Sequence, residues 1–223
     1  MQKTTETPQG KNSETEEEKK NPLWKELLSW VEIIVIAVVL ALFLTRFVIV
    51  NATVPTGSME NTIMPGDRLL GLRLTYLFSD PQRGDIVVFR YPVDESTNYI
   101  KRIIGLPGET VEIRQGKIYI DGSDTPLEED YLKEEWTVLN DGFTFEVPED
   151  CYLMLGDNRN NSSDARYWAS EALKAGLADT PEEAMSYSYV HRDQILGKAY
   201  VRYWPLNNCL LYTSPSPRDS TSS

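Results

Sequence analysis

Val54-Pro55-Thr56-Gly57-Ser58-Met59 places a serine in a tight turn, and further along Tyr99-Ile100-Lys101-Arg102-Ile103-Ile104 embeds a lysine in an apolar run. The chemistry such a pair supports is nucleophilic attack on an acyl carbon, with the lysine amine as the base that takes the serine proton. A lysine is a usable base near neutral pH only where an apolar site lowers its pKa from the ordinary ~10.4. On an extended strand Tyr99, Lys101 and Ile103 share one face, so apolar groups would wall the amine and penalise its charged form. Ser58 follows a β-like run, Phe47 to Val54, which would leave its Oγ exposed at a strand end. Each segment alone is weak: Thr-Gly-Ser is common in ordinary turns, and most lysines are solvated surface charges.

A third segment, Gly156-Asp157-Asn158-Arg159-Asn160-Asn161-Ser162-Ser163-Asp164-Ala165-Arg166, is dense in groups that hydrogen-bond one another or the backbone. As a calcium loop it fails, because an EF-hand needs glycine at the sixth position and glutamate at the twelfth, where Ser162 and Trp168 stand. It reads either as a structural loop held by carboxylate–guanidinium pairs or as one whose hydroxyls also orient a nearby lysine. The single histidine, His191, excludes a His-based zinc site and a two-histidine mechanism within one chain. A Ser-His-Asp triad would have to use His191, whose neighbours Val190 and Arg192 do not suggest a base.

These segments must be positioned by a chain of 223 residues, enough for one substantial domain beside an anchor, with 41% hydrophobic residues to build a core. Its formal charge of -12, from 34 acidic against 22 basic side chains, with no basic stripe, argues against a nucleic-acid partner. Cys151 and Cys209 allow at most one disulfide, so packing has to hold the fold.

From Leu27 to Val50 the polar residues are Ser29, Glu32, Thr45 and Arg46. At a helical rise this run reaches ~36 Å, beyond the ~30 Å of a hydrocarbon core. A buried helix or a cleaved signal peptide would share the pattern, but a signal peptide has a short basic start, and here an acidic cluster at Glu16-Glu17-Glu18 precedes the run. The expectation is a membrane anchor over 23–50, preceded by a disordered tail over 1–22. Lys19, Lys20 and Lys25 flank its start and no Lys or Arg lies between Phe47 and Asp67, which places the N-terminus in the cytoplasm and residues 51–207 outside.

Beyond the anchor, short β patterns punctuated by Gly and Pro cover Arg68–Thr75, Asp85–Tyr91, Tyr99–Ile104, Thr110–Arg114, Lys117–Ile120, Thr144–Val147, Tyr152–Leu155 and Lys198–Tyr203. The expected fold class is therefore mainly β, with turns at Arg114-Gln115-Gly116-Lys117 and Asp121-Gly122. One helical stretch, Ala169–Tyr187, reads as a surface insertion, its second half opening on the capping box Thr180-Pro181-Glu182-Glu183. From Cys209 the sequence turns abruptly to Ser, Pro and Thr; 208–223 is a low-complexity tail, either disordered or foreign to the protein.

With the three segments in this order behind one anchor, the chain resembles the bacterial type I signal peptidases, the Ser/Lys leader peptidases. The resemblance spans about residues 24–207 and rests on Pro55-Thr56-Gly57-Ser58-Met59, Arg83-Gly84-Asp85-Ile86-Val87-Val88-Phe89, Tyr99-Ile100-Lys101-Arg102 with Gly105-Leu106-Pro107-Gly108, the Gly156–Arg166 loop, and Gly197-Lys198-Ala199. It implies a coiled β-sheet domain behind one transmembrane helix. It also implies that Ser58 is the nucleophile and Lys101 the general base, with Thr56 and the Ser58 N–H forming the oxyanion hole. Ser162 matches a serine that hydrogen-bonds the lysine, and Asp157 with Arg102, and Asp164 with Arg166, match pairs that brace the site. Val54, Met59, Ile63, Tyr99 and Ile100 are the expected walls of the substrate pocket. Two positions depart from the family pattern: Asn61 stands where many relatives have proline, and Ala165 where a serine is common. The 169–189 stretch is longer than in typical single-anchor members.

The implied activity is removal of signal peptides from exported preproteins at the cell membrane, with small residues at the third and first positions before the cut. It needs no metal or cofactor. The implied partners are those signal peptides, the lipid bilayer and the secretion machinery. Two other readings stay open: a relative of the self-cleaving Ser/Lys repressor proteases, against which the anchor counts, and a non-catalytic anchored β domain that binds peptides.

Overall fold

The computed structural model describes residues 22–206 and 209–211. The expected N-terminal tail before Pro22 and the C-terminal tail, but for 209–211, lie outside the described residues. The chain divides into two units, with the boundary between Phe43 and Leu44.

The first unit is the helix α1, Pro22–Phe43. Its apolar side chains are exposed on all faces, among them Trp24, Ile33, Val38 and Leu42. A helix apolar all round is built for an apolar surrounding rather than for water on one side. Leu23–Val48 is long and apolar enough to cross a membrane by length and composition. Leu44–Val48 is a π-helical turn, and Ile49 and Val50, taken in sequence as the end of the anchor, open the first strand.

Among the described residues, the second unit is built from eleven strands and three short α-helices. In chain order these are β1 (Ile49–Thr53), β2 (Arg68–Leu72), α2 (Thr75–Phe78), β3 (Ile86–Tyr91), β4 (Asp94–Gly105), β5 (Thr110–Arg114), β6 (Lys117–Ile120), β7 (Phe143–Glu146), β8 (Cys151–Leu155), α3 (Ala165–Ala175), α4 (Pro181–Ala184), β9 (Tyr189–His191), β10 (Ile195–Trp204) and β11 (Leu210–Leu211). The large sheet runs β1-β2-β10-β3-β4-β8-β9, with β11 on β10, and the small one runs β6-β5-β7. Register shifts interrupt β10 against both of its neighbours, and β4 against β3 and β8. Such bulges add bend and twist to a sheet, and here β1 and β4, separated by three strands, come to face one cleft.

One core joins Val87, Phe89, Ile103, Ile104, Leu153 and Leu155 of the large sheet to Val111, Ile113, Ile118 and Phe145 of the small sheet and to Trp168. A second, smaller cluster of Val54, Met59, Ile63, Leu69, Ile86 and Ala199 lies under the Ser58 turn, with Ile100 packed on it.

The mainly β expectation holds, and the differences have local causes. β4 starts at Asp94, earlier than the apolar pattern at Tyr99, because Asn98 and Asp94, although exposed, still pair with Arg90 and Tyr91 of β3. β2 stops at Leu72 and gives way to the single turn of α2. The helical stretch breaks in two. α3 begins at Ala165 because Asp164 caps it, and it ends where Gly176 takes a left-handed φ of 70°. Thr180 then caps α4 as its sequence implied. This insertion is not merely a surface feature, since Ala172 and Ala184 are fully buried.

Candidate active site

Ser58 sits just past β1, at the head of a turn closed by Ile63 N–H to Met59 C=O at 2.7 Å. Met59 and Ile63 are both completely buried, and at ~1.5–3 kcal/mol for each apolar side chain removed from water they pin the turn from below. Asn61 has a φ of 85° and donates through its side-chain amide to the Tyr131 carbonyl at 3.1 Å. That accounts for the absence of proline here, whose ring fixes φ near ~-65°, while asparagine tolerates the left-handed region.

Lys101 lies on β4 opposite Val87 of β3, at the point where the strand passes from exposed to buried residues. Its Nζ donates to Ser58 Oγ at 2.7 Å, and the residue is 4% exposed. Burial lowers its pKa to about 8; Asp164 and Asp157 oppose this, and Arg166 adds to it. The repulsive cation is Arg166. The Tyr99 ring lies 5.2 Å from Nζ, consistent with the shared strand face. Thr56 Oγ1 is 3.5 Å from Ser58 Oγ.

Register explains the bracing pair. Arg102 faces Leu155 across the β4–β8 ladder, and Asp157 follows two residues on. The guanidinium meets that carboxylate through two bonds, Nε to Oδ1 at 2.8 Å and Nη2 to Oδ2 at 2.6 Å, while Thr62 donates to Oδ2 at 2.5 Å. Tyr131 covers the guanidinium at 3.8 Å. Asp164 accepts Nε and Nη2 of Arg166, both at 2.8 Å, and the Gly156 N–H at 3.1 Å. Burial disfavours the Asp164 charge, but the Arg166 hydrogen bonds and charge prevail and hold its carboxyl below the usual range.

The loop is bolted to the serine turn through backbone. Asn158 N–H donates to Ser58 C=O at 3.0 Å and Asn158 Nδ2 to Gly57 C=O at 2.9 Å. Gly156 permits this approach, for a Cβ there would stand 2.5 Å from the Ser58 carbonyl oxygen and 2.2 Å from Ser162 Oγ. Ser162 departs from expectation: its hydroxyl is buried against Gly156 and finds no hydrogen-bond partner, while the Lys101 amine is turned to Ser58.

A cleft of 480 Å³ opens over the pair, lined by residues 51–59, Val88, residues 97–101, Asn161 and Ser163. Val54, Met59, Tyr99 and Ile100 line it as expected; Ile63 does not, being completely buried below in the smaller cluster. His191 is exposed and bonds Asp193, and among the described residues no contact joins it to Ser58.

The sequence reading missed the 121–142 connection, which supplies Tyr131 over Arg102, Glu129 to Arg159, and Trp136 against Arg159 and Arg166. It has no periodic pattern, and the signal that could have marked it was its aromatic residues. The arrangement as a whole presents a hydroxyl to a desolvated amine of lowered pKa at the floor of an open cleft, which is chemistry for acyl transfer.

Comparison with known proteins agrees. The family described as signal peptidase, peptidase S26, matches residues 27–204, and the chain belongs to it. It is 36% identical over 216 residues to a probable signal peptidase I-2 of Synechocystis sp., covering 93% of this chain and 87% of that one. A signal peptidase I of Leptolyngbya laminosa is 36% identical, with 92% and 91% covered. A solved signal peptidase I from Enterococcus faecalis V583 is 34% identical, with a TM-score of 0.39, over 54% of this chain and 97% of that chain.

Proposed function

We infer that this protein is a signal peptidase I, a serine endopeptidase that removes signal peptides from preproteins. The observation that carries the mechanism is the 2.7 Å contact between the buried Lys101 amine and Ser58 Oγ. In this reading neutral Lys101 takes the Ser58 proton as Oγ attacks the scissile carbonyl, and the resulting ammonium then protonates the leaving amine. The Ser58 N–H and the Thr56 hydroxyl stabilise the oxyanion. Arg102–Asp157 and Asp164–Arg166 keep the loop rigid behind the serine, and Ser162 packs behind Gly156.

An extended substrate enters as an added strand. Support comes from the two rims of the cleft: β1 is an edge of the large sheet, and β8 covers β4 only from Arg102 onward. Side chains before the cut would rest on Val54, Met59, Tyr99 and Ile100.

The apolar run from Leu23 is the anchor, with the N-terminus cytoplasmic and the β domain outside. The anchor separates this reading from a cytosolic self-cleaving protease. Preprotein incubated with detergent-solubilised protein should be cut at the signal junction by the wild type and left intact by Ser58→Ala of unchanged melting temperature. Cutting by Ser58→Ala above background would overturn the assignment, and protection of the β domain from protease added outside intact cells would reverse the orientation.

A further inference from the structure

The helix that follows the Asp164 cap reaches the substrate cleft from behind. Tyr99, a wall of that cleft, stacks on Tyr91 with centroids 4.3 Å apart and planes 3° from parallel. Trp168 of α3, completely buried, flanks both rings of this pair in T-shaped contact, at 6.3 Å from the Tyr99 ring and 5.6 Å from the Tyr91 ring. One helical turn on, the Glu171 carboxylate accepts the Tyr91 hydroxyl on Oε2 and the Ser163 hydroxyl on Oε1, the latter at 3.1 Å. Ser163 itself lines the cleft beside Tyr99. The carboxylate therefore ties together two sides of one wall: the ring that backs Tyr99, and the loop residue at its edge.

A stacked tyrosine with nothing behind it would tilt to make room for a larger ligand. Here the tilt is opposed, since moving Tyr99 back requires Tyr91 to move, and Tyr91 is held at its far end by Glu171 while Trp168 packs beside both rings. Burial, followed by the Glu171 hydrogen bond, raises the Tyr91 phenol well above its ordinary pKa, so it remains a donor at every working pH. We propose that Glu171 is a positioning residue that fixes the Tyr99 wall through Tyr91 and Ser163, so that the α3 insertion sets how large a substrate side chain the cleft admits. This rests on the peptidase reading above and gives the insertion a role in specificity.

The test compares peptides that differ only in having alanine or valine at the position before the cut. Glu171→Ala should lower the ratio of kcat/KM for alanine over valine by about tenfold, the range open to small differences in an apolar pocket. The change should appear as a raised kcat/KM for the valine peptide, with kcat for the alanine peptide within about twofold of wild type, as expected when the wall yields and the chemistry is intact. Glu171→Gln retains an acceptor for Tyr91 and a second group for Ser163, and should restore the ratio. Tyr91→Phe should reproduce the loss and not add to it when combined with Glu171→Ala, because both break one chain of contacts. A wild-type ratio in folded Glu171→Ala, or a Glu171→Gln as relaxed as Glu171→Ala, would overturn the proposal while leaving the peptidase reading standing. Failure of the wild type to cut either peptide would overturn both.

Discussion

Asn158 donates its backbone N–H to the carbonyl oxygen of Ser58 at 3.0 Å. Ser58 stands on a loop after an edge strand, and loops are the mobile parts of a fold. This contact, with the Asn158 side-chain bond to Gly57, transfers the position of the serine to the loop after β8. That loop takes its own rigidity from buried ion pairs of Asp157 and Asp164. The two halves of the proposed dyad are therefore held by one frame: Lys101 directly by β4, and Ser58 through Asn158 to β8, the neighbour of β4.

Gly156→Ala tests how closely that frame must fit. The added Cβ would stand 2.5 Å from the Ser58 carbonyl oxygen, which is backbone and cannot swing away. Displacing the serine by even ~1 Å costs on the order of 100-fold in rate. We expect kcat/KM on a preprotein to fall by about that factor; rates near wild type would show that the turn is not bolted as described.

Asp157→Asn separates bracing from chemistry. Removing one partner of a buried pair costs ~3–5 kcal/mol, here by leaving the Arg102 guanidinium without its carboxylate, so denaturant midpoints should drop. The same change removes a negative charge that raises the Lys101 pKa, so the pH midpoint of the residual activity should move to lower pH. A midpoint that stays fixed would show that Asp157 acts on stability alone.

The sequence made the proposed dyad legible because each member lies in a short segment with its own chemistry: Ser58 in a turn, Lys101 on a strand whose neighbours are apolar. It exposed less of what lies between segments. Ile63 reads as a pocket wall from its distance to Ser58, yet the turn that closes on Met59 carries it underneath. Strand alternation turns Arg102 toward Asp157, although it is the sequence neighbour of Lys101, and it is Arg166, distant in sequence, whose charge acts on the amine. Tyr131 and Trp136 reach the site from an irregular connection, where neither a period of two nor one of 3.6 marks a side chain as buried. Trp168 was hidden in the same way, since the helix pattern was read from Ala169 and the cap at Asp164 moves its start.

Lys101→Met should stabilise the fold while abolishing cleavage. The folded-state pKa of about 8 lies below the ordinary ~10.4, so the unfolded chain binds this proton more tightly. Stability therefore rises as pH climbs from about 8 toward ~10.4, and below about 8 the full penalty applies, on the order of 3 kcal/mol. Removing the amine should raise the unfolding free energy most at pH 7 and least at pH 10, as read by denaturant titration. An equal gain at both values would mean that the amine is not buried in its neutral form.

The rate itself should follow the same ionisation. At pH 7 a lysine of pKa about 8 is roughly one-tenth neutral, against well under one part in a thousand for an ordinary lysine. If Lys101 is the base, kcat/KM should rise about tenfold per pH unit up to pH 7 and level off above about 8. Lys101→Arg keeps the charge and much of the length, but a guanidinium does not release its proton at working pH, so this variant should be inert at every pH. His191→Ala should leave the profile unchanged, because the imidazole is exposed and engaged with Asp193. A profile that turned on an ionisation near ~6.5, lost in His191→Ala and kept in Lys101→Arg, would replace the lysine by the histidine as base.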